Sequence, residues 1–355
     1  MHLTWKPTAC ALALFMALGV AACGGDDESS GSASSAKQAA SADSPEVQQL
    51  VEAAKQEGSV TWYSSATENV AQKVTDAFNE KYPGVTAEFV RGSSPDLIQR
   101  YSAEADSGKV AADAGIFPGD AFIPEGIKKG WFTPIDKAGI PAIDDGSYPK
   151  DSIQNGEAVA QYLVWQIGYN TELVPEGEVP KTWDQVLDPK WKGKIIIPSP
   201  ASSDTYIKFF DRVTEDQGNE YLTKLAAQQP IFSESGTPGA QSLAAGEAAL
   251  MLPAAPSLIN ALATEGAPLK MVAPPNNTAS KLTIGISAKA PHPNAAKLLV
   301  NFILSEEGSK LMSGEAGEVS PYAGEGDGGF PQGYKPQRAE AIERTDEIEN
   351  ALGAK

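Results

Sequence analysis

The chain has 355 residues, and this length favours two domains over a single compact core. Hydrophobic residues make up 41% of the chain and charged residues 21%, so most of it has enough apolar surface to fold around a core. The formal net charge of −18, without any run rich in Lys and Arg, argues against nucleic-acid binding, because phosphate backbones attract clustered basic side chains.

The N-terminus carries an apolar run over residues 9–22, interrupted by Gly19. This run is shorter than the roughly 20 residues of a bilayer-spanning helix, but it has the length of a signal-peptide core. It ends in Leu-Gly-Val-Ala-Ala-Cys, which resembles the bacterial lipobox, where cleavage before the cysteine exposes it for lipid attachment. We therefore predict a lipoprotein signal peptide over residues 1–22 and lipid attachment at Cys23. The alternative is a cleaved secretory signal followed by a chance cysteine.

Residues 23–44 are rich in Gly, Ser, Ala and Asp and have almost nothing to bury, which predicts a disordered tether. The two cysteines are Cys10, inside the predicted signal, and Cys23. The body of the chain therefore offers no disulfide, no thiolate metal site and no cysteine nucleophile. We predict no cofactor and no metal-binding residues.

From residue 45 onwards, apolar residues at helical spacing alternate with short apolar runs that are typical of strands. In the first half, the predicted strands cover residues 59–63, 85–90 and 114–117. A β-α-β-α-β series of this kind predicts a parallel sheet with helices on both faces.

The second half repeats the alternation of helices and strands. Its predicted strands cover residues 162–169, 194–197, 249–252, 269–273 and 282–287. Residues 313–335 are rich in glycine and irregular, and a last polar helix is predicted over about residues 337–352.

Residues 180–194, Pro-Lys-Thr-Trp-Asp-Gln-Val-Leu-Asp-Pro-Lys-Trp-Lys-Gly-Lys, form the most distinctive motif. The motif resembles the signature of extracellular solute-binding proteins of the ferric-iron and 2-aminoethylphosphonate type. Three further stretches fit that family, over residues 59–65, 245–249 and 291–312. The resemblance covers residues 45–322 and implies an α/β, two-lobed type II periplasmic-binding-protein fold, with two Rossmann-like lobes joined by two crossover strands.

By the same resemblance, the first lobe holds residues 45–163 and 274–320, and the second lobe holds residues 164–273 and 321–355. Thr182 is expected to cap a helix beginning at Trp183. The implied protein is a monomeric solute-binding lipoprotein, anchored by its lipid at the cell surface or the periplasmic face of the bacterial cytoplasmic membrane. It is expected to deliver a small-molecule solute to an ABC permease and its ATPase.

In doubly wound sheets, ligands bind beyond the carboxyl ends of the strands, near helix N-termini. The alternative for each serine there is ordinary helix N-capping, and Trp165 and Tyr206 are equally suited to core packing. One departure from the family's ligand loop is Asp204, which stands where a glycine is usual. The candidate ligand-binding residues are Ser64, Ser65, Glu68, Ser93, Ser94, Gly119, Asp120, Trp165, Ser202, Ser203, Asp204, Thr205, Tyr206 and Ala254.

A small organic oxyanion, such as a phosphonate, carboxylate or sugar phosphate, is the favoured ligand. Ferric iron in a non-standard site is the alternative, because residues 253–256 lack the tyrosine pair that iron-binding members of the family carry there. A solute-sensing lipoprotein is a further possibility. Catalysis is not expected, since the body of the chain has no cysteine and His292 as its only histidine; its many carboxylates leave acid–base hydrolysis open.

Overall fold

The computed structural model describes residues 44–119, 121–326 and 329–354. The predicted signal peptide, Cys23, nearly all of the tether and Asp120 lie outside the described residues. Among the helices that are described, none is long and apolar enough to cross a bilayer.

Strands from both halves of the chain form the first sheet, which has eight strands in the order β13-β6-β12-β3-β1-β2, with β4 beside β12 and β5 beside β6. β1 runs parallel to β2 and β3, whereas β12 runs antiparallel to both β3 and β6. The strands are β1 (Ser59–Ser64), β2 (Thr86–Arg91), β3 (Ala114–Pro118), β4 (Phe132–Thr133), β5 (Ile153–Gln154), β6 (Glu157–Val164), β12 (Ala279–Ser287) and β13 (Glu318–Val319).

Helices cover both faces of this sheet, and local sequence signals place their ends. The first helix begins where the Ser44 hydroxyl accepts a hydrogen bond from the backbone of Val47, and it ends at Gly58, whose φ of 79° favours glycine. Fully buried Trp62 and Phe78 lie in the core on one face. The helices are α1 (Pro45–Glu57), α2 (Glu68–Lys81), α3 (Ser94–Ser107), α4 (Phe122–Lys128), α5 (Pro141–Asp144), α10 (Pro293–Ile303) and α11 (Glu306–Met312).

The second sheet has five strands in the order β11-β7-β10-β8-β9. β8 runs parallel to β9 and β10, and β7 runs antiparallel to β10 and β11. The elements are β7 (Gln166–Asn170), β8 (Ile195–Pro198), β9 (Ile231–Ser233), β10 (Leu250–Ala254), β11 (Leu269–Val272), α6 (Asp204–Gln217), α7 (Glu220–Ala227), α8 (Gly236–Ala244), α9 (Pro256–Thr264) and α12 (Thr345–Leu352).

The predicted α/β, two-lobed architecture is confirmed, with one sheet in each lobe. The predicted helix at Trp183 is wrong. A 3₁₀ turn, Asp184–Leu187, lies there instead, and Trp183 precedes it without a side-chain cap. Pro189 explains the difference, since the residue before a proline is disfavoured in α-helical conformation. The predicted polar helix over residues 337–352 is likewise divided, into a 3₁₀ stretch, Ala339–Arg344, and α12.

The C-terminal segment contacts both lobes, although we predicted residues 321–355 to belong to the second. The Tyr322 hydroxyl donates to the carbonyl of Leu304, and the Phe330 ring lies 5.1 Å from that of Tyr162 on β6. Ile348 and Leu352, by contrast, are buried in the core of the second sheet. Aromatic side chains therefore hold the first part of the segment on the first sheet, and the lobe boundaries stay a prediction.

Candidate functional site

A single residue, Trp165, separates the two sheets at the first crossover. Val164 is the last residue of β6 and pairs with Ala279, and Gln166 is the first residue of β7 and pairs with Ala254. β6 runs in the same direction as β1 and β3, because both β6 and β3 are antiparallel to β12. The carboxyl ends of the parallel strands of the first sheet thus lie on one side of Trp165. Those of the second sheet lie on the other side, since β7 begins beside the end of β10.

Hydrogen bonds from the second crossover hold the backbone of Trp165 in place. Its N–H donates to the carbonyl of Thr278 at 3.1 Å, and Asn277 Nδ2 donates to its carbonyl at 2.6 Å. Its ring packs 5.5 Å from that of Tyr206 in the second lobe. The indole N–H is buried and has no hydrogen-bond partner among the described residues. A buried donor left in this state costs about 1–3 kcal/mol, so this N–H is suited to a ligand.

In the first lobe, Ser64 ends β1 and is fully buried. Within the part of the chain that the structure describes, its hydroxyl has no partner either. Ser65 differs, because its hydroxyl donates to the carbonyl of Ile116 at 3.0 Å and so joins the ends of β1 and β3. Glu68 is the exposed first residue of α2, which Thr67 caps.

The other predicted residues of the first lobe form local contacts. Ser93 caps α3, accepting from the Asp96 backbone at 3.3 Å and donating to its carboxylate at 2.6 Å, and Ser94 is the first residue of that helix. Gly119 donates its N–H to the carbonyl of Lys281 at 2.9 Å. A Cβ at Gly119 would lie 2.9 Å from Cγ2 of Thr283, so glycine permits this close approach.

In the second lobe, the hydroxyl groups of the serine-rich loop before α6 bond to one another and to the backbone nearby. The Ser202 hydroxyl donates to the carbonyl of Ser199 at 2.7 Å, and the hydroxyls of Ser203 and Thr205 share a hydrogen bond of 2.8 Å. Ser203 also caps α6, and Asp204 is the exposed first residue of that helix. Bonds within the turn and the cap of α6 thus account for the hydroxyls of Ser202 and Ser203.

Tyr206 lies on the first turn of α6 and is buried against Trp165. Burial raises the pKa of its phenol to about 12, opposed by a hydrogen bond from the backbone of Gly236, so the hydroxyl keeps its proton at neutral pH. A Cβ built at Gly236 would overlap the Tyr206 hydroxyl, so glycine is required for the N-terminus of α8 to approach this ring.

Ala254 ends β10 next to the crossover, but its methyl group points into the core of the second sheet. The methyl lies 3.1 Å from where a Cβ of Gly168 would stand, and it belongs to the same buried cluster as Leu243 and Ile259. Sequence reasoning did not include Asn277 among the site residues, although its side chain holds Trp165. The sequence feature that could have identified it is the Pro-Pro-Asn-Asn turn over residues 274–277, which follows a predicted strand.

His292 lies away from this site. Its Nε2 is 3.3 Å from the hydroxyl of Ser59, at the amino end of β1, and its Nδ1 is 3.1 Å from the carboxylate of Asp113. Over residues 44–119, 121–326 and 329–354, His, Cys, Asp and Glu nowhere form a group of three or more that could hold a metal ion.

Two comparisons at the level of sequence find matches for this chain. A family model for bacterial extracellular solute-binding proteins matches residues 63–310. A curated protein of Haemophilus influenzae, described as uncharacterized, is 28% identical over 273 residues, which are 73% of this chain and 76% of that protein.

Solved structures share the fold at low sequence identity. The substrate-binding protein of an ABC transporter from Agrobacterium tumefaciens has a TM-score of 0.65 at 14% identity, covering 83% of this chain and 94% of its own. Iron-bound HitA from Pseudomonas aeruginosa has a TM-score of 0.61 at 16% identity, over 83% and 99%. AfuA from Actinobacillus pleuropneumoniae, with fructose-6-phosphate bound, has a TM-score of 0.57 at 22% identity, over 83% and 97%.

Proposed function

Because the chain belongs to the family of bacterial extracellular solute-binding proteins, we propose that it captures a small organic oxyanion between its lobes and delivers it to the permease and ATPase of an ABC importer. We propose further that it acts as a lipid-anchored monomer outside the cytoplasmic membrane, without catalysis. The observation that carries the proposal is that the carboxyl ends of the parallel strands in both sheets face the joint at Trp165, whose buried indole N–H has no partner among the described residues.

Three kinds of donor favour an oxyanion as ligand. The Ser64 hydroxyl and the Trp165 indole N–H are buried and unpaired within the described residues. The Tyr206 phenol stays protonated, so it can donate as well. In addition, α2, α3 and α6, each of 14 residues, follow β1, β2 and β8, and their dipoles favour negative charge at the ends of those strands.

Solved relatives that hold fructose-6-phosphate or iron show that this fold accepts both a phosphorylated organic ligand and a metal.

A thermal-shift screen of the purified protein tests the ligand class. Phosphonates, organic acids, sugar phosphates, polyamines and Fe³⁺ form the panel. A ligand at 100 times its Kd stabilises the folded state by about 2.7 kcal/mol, which raises Tm by about 5–10 °C. We expect such a shift from an oxyanion, with the ligand recovered unchanged. A shift from Fe³⁺ or a polyamine alone would overturn the oxyanion proposal.

The variant Ser64→Ala tests the site with the ligand that the screen identifies. If Ser64 donates to the ligand, its loss weakens binding about tenfold, measured by calorimetry. Without ligand, the variant should melt at or above the wild-type temperature, because it removes a buried hydroxyl that has no partner among the described residues. Ser107→Ala, at the far end of α3, is the matched control and should keep wild-type affinity. Unchanged affinity in Ser64→Ala would place the ligand elsewhere.

A further inference from the structure

We propose that a C-terminal strap, residues 315–326 and 329–338, is a third connection between the lobes and restricts the range of angles that they adopt. The inference rests on the proposed opening and closing of the lobes, and it assigns a role to residues outside the two crossovers. Its basis is a series of hydrogen bonds, ring contacts and ion pairs that tie the strap first to one lobe and then to the other.

The strap begins where the lobes meet. The carbonyl of Gly317 accepts a hydrogen bond of 2.9 Å from the backbone of Val164, the last residue before Trp165. The carbonyl of Ala316 accepts from Asn260 Nδ2 on α9, at 3.0 Å. On the other side, Asn69 Nδ2 on α2 donates to the Glu315 carboxylate at 3.1 Å. Residues 315–317 thus bond to elements of both lobes.

Aromatic rings hold the middle of the strap on the first sheet. The rings of Phe330 and Tyr334 stack at 4.1 Å, and Tyr162 on β6 lies 5.1 Å from the first and 6.4 Å from the second. Tyr322 bonds to the carbonyl of Leu304 on the same lobe. Such ring contacts contribute about 0.5–1.5 kcal/mol each beyond the area that they bury.

Asn276 and Asn277 connect the strap to the second crossover. The backbone of Asn276 donates to the carbonyl of Gln332 at 2.8 Å, and Lys335 donates to the carbonyl of Asn277 at 3.0 Å. The carbonyl of Asn276 also accepts from Nε1 of Trp183, at 3.3 Å. Since the side chain of Asn277 holds Trp165, these two asparagines join both crossovers, the strap and the tryptophan of the signature motif.

The strap ends on the second lobe. Arg338 makes hydrogen bonds of 2.7–3.0 Å to Asp211, which is almost fully buried on α6. Gln337 Nε2 donates to the carbonyl of Thr205 at 3.3 Å, on the first turn of the same helix. A change in the angle between the lobes must break some of these contacts or deform the strap, so the strap resists it.

Gly333 allows a specific test of this proposal. Its φ is 71°, which disfavours any residue but glycine, and a Cβ there would also displace the amide oxygen of Asn276, so Gly333→Ala should weaken the contact of the strap with the crossover. Gly324→Ala is the matched control, because a Cβ at Gly324 meets nothing within 4 Å. Spin labels at Gln99→Cys on α3 and Lys224→Cys on α7, in a full chain carrying Cys10→Ser and Cys23→Ser, report the interlobe distance. Both labelled positions are exposed.

Measurements on ligand-free protein keep the test independent of the identity of the ligand. We expect the distance distribution to broaden and shift in Gly333→Ala and to match the parent in Gly324→Ala. Faster hydrogen exchange of the Lys335 amide, which bonds to Asn277, verifies that the strap is released. The double variant Phe330→Ala with Gly333→Ala removes the ring contacts as well, so that release is complete. An unchanged distribution with the strap released would overturn the proposal, and so would a strap that stays protected in the combined variant. If the variant with a released strap kept the parent's distance distribution and bound ligand normally, the role of the strap would be refuted and the proposed receptor function would stand.

Discussion

Glu318 shows how a single buried carboxyl makes stability depend on pH. It lies on β13 beside β6, and burial together with the charge of Glu315 raises its pKa to about 7. A hydrogen bond from the backbone of Glu315 and the charge of Lys73 oppose the rise. The folded state therefore holds this proton more tightly than the unfolded chain does. The stabilisation is complete below about pH 4.5 and is lost as pH rises through about 7.

Replacing this carboxyl should flatten that part of the pH profile. Wild type should lose stability between pH 5 and pH 8 as Glu318 ionises, whereas the glutamine of Glu318→Gln does not ionise. The free energy of unfolding of the variant minus that of wild type should therefore rise by about 1–3 kcal/mol between the two pH values. Urea unfolding at the two pH values measures the gain. The exposed Glu325→Gln on the same segment is the control and should follow wild type. A profile that is parallel for Glu318→Gln and wild type would contradict the raised pKa.

At the scale of elements, Asp211 determines where the C-terminal helices pack. This buried carboxylate on α6 accepts hydrogen bonds from Arg338 and from Arg344 at 2.7 Å, which lie before and within the 3₁₀ stretch. The pKa values of both guanidinium groups are raised, that of Arg338 chiefly by hydrogen bonding to Asp211 and that of Arg344 chiefly by Glu347. Either arginine alone can still compensate the buried charge.

The two arginines should therefore be coupled. We expect Arg338→Ala and Arg344→Ala each to lower the free energy of unfolding by about 1–2 kcal/mol, and the double variant to lose about 3–5 kcal/mol, because only the double variant leaves Asp211 buried and unpaired. Denaturant unfolding of the four proteins closes the cycle.

A third substitution separates charge from packing in this cycle. Adding Asp211→Asn to the double variant should recover part of the loss, since the uncompensated charge is then gone. Lys224→Ala, which removes an exposed ion pair with Glu220, should change stability by at most about 0.5 kcal/mol. Strictly additive losses for the two arginines would refute a shared buried partner.

At the scale of the whole molecule, two lobes and a lipid anchor define the proposed receptor. The lobes meet at Trp165, between the end of β6 and the start of β7, and the family places the protein outside the cytoplasm. The anchor depends on Cys23, outside the described residues, and one lipid chain alone holds a protein only weakly at a membrane. A bacterial lipoprotein cysteine carries more than one chain, so we propose stable attachment.

Metabolic labelling tests the anchor directly. Expressed in a bacterial host with an alkyne fatty acid, the wild-type protein and Cys10→Ser should both carry label and sediment with membranes. Cys23→Ser should be unlabelled and appear in the soluble fraction, because it lacks the thiol that receives the lipid. Label that persists in Cys23→Ser would rule out this attachment site.

The residues differ in how far the sequence predicted them. Ser64 and Tyr206 lie at strand and helix ends, as the order of elements predicts, because a strand end follows from local pattern. Ser93, Ser202 and Ser203 also lie at such ends, but their hydroxyls bond within their own turns. Composition cannot distinguish these two kinds of serine, since the difference depends on what the rest of the chain brings near.

By itself, the sequence determined the α/β class, because apolar periodicity, caps and turn residues act over a few neighbouring positions. The two lobes and the family followed from the resemblance of the motif over residues 180–194 to a known signature. The tertiary structure alone decided the contacts of Asn277 with Trp165, 112 positions apart, and of Arg338 with Asp211, 127 positions apart. Such pairs form only when distant segments pack together. Neither partner carries a local signal of the other, so these contacts became visible only in the folded protein.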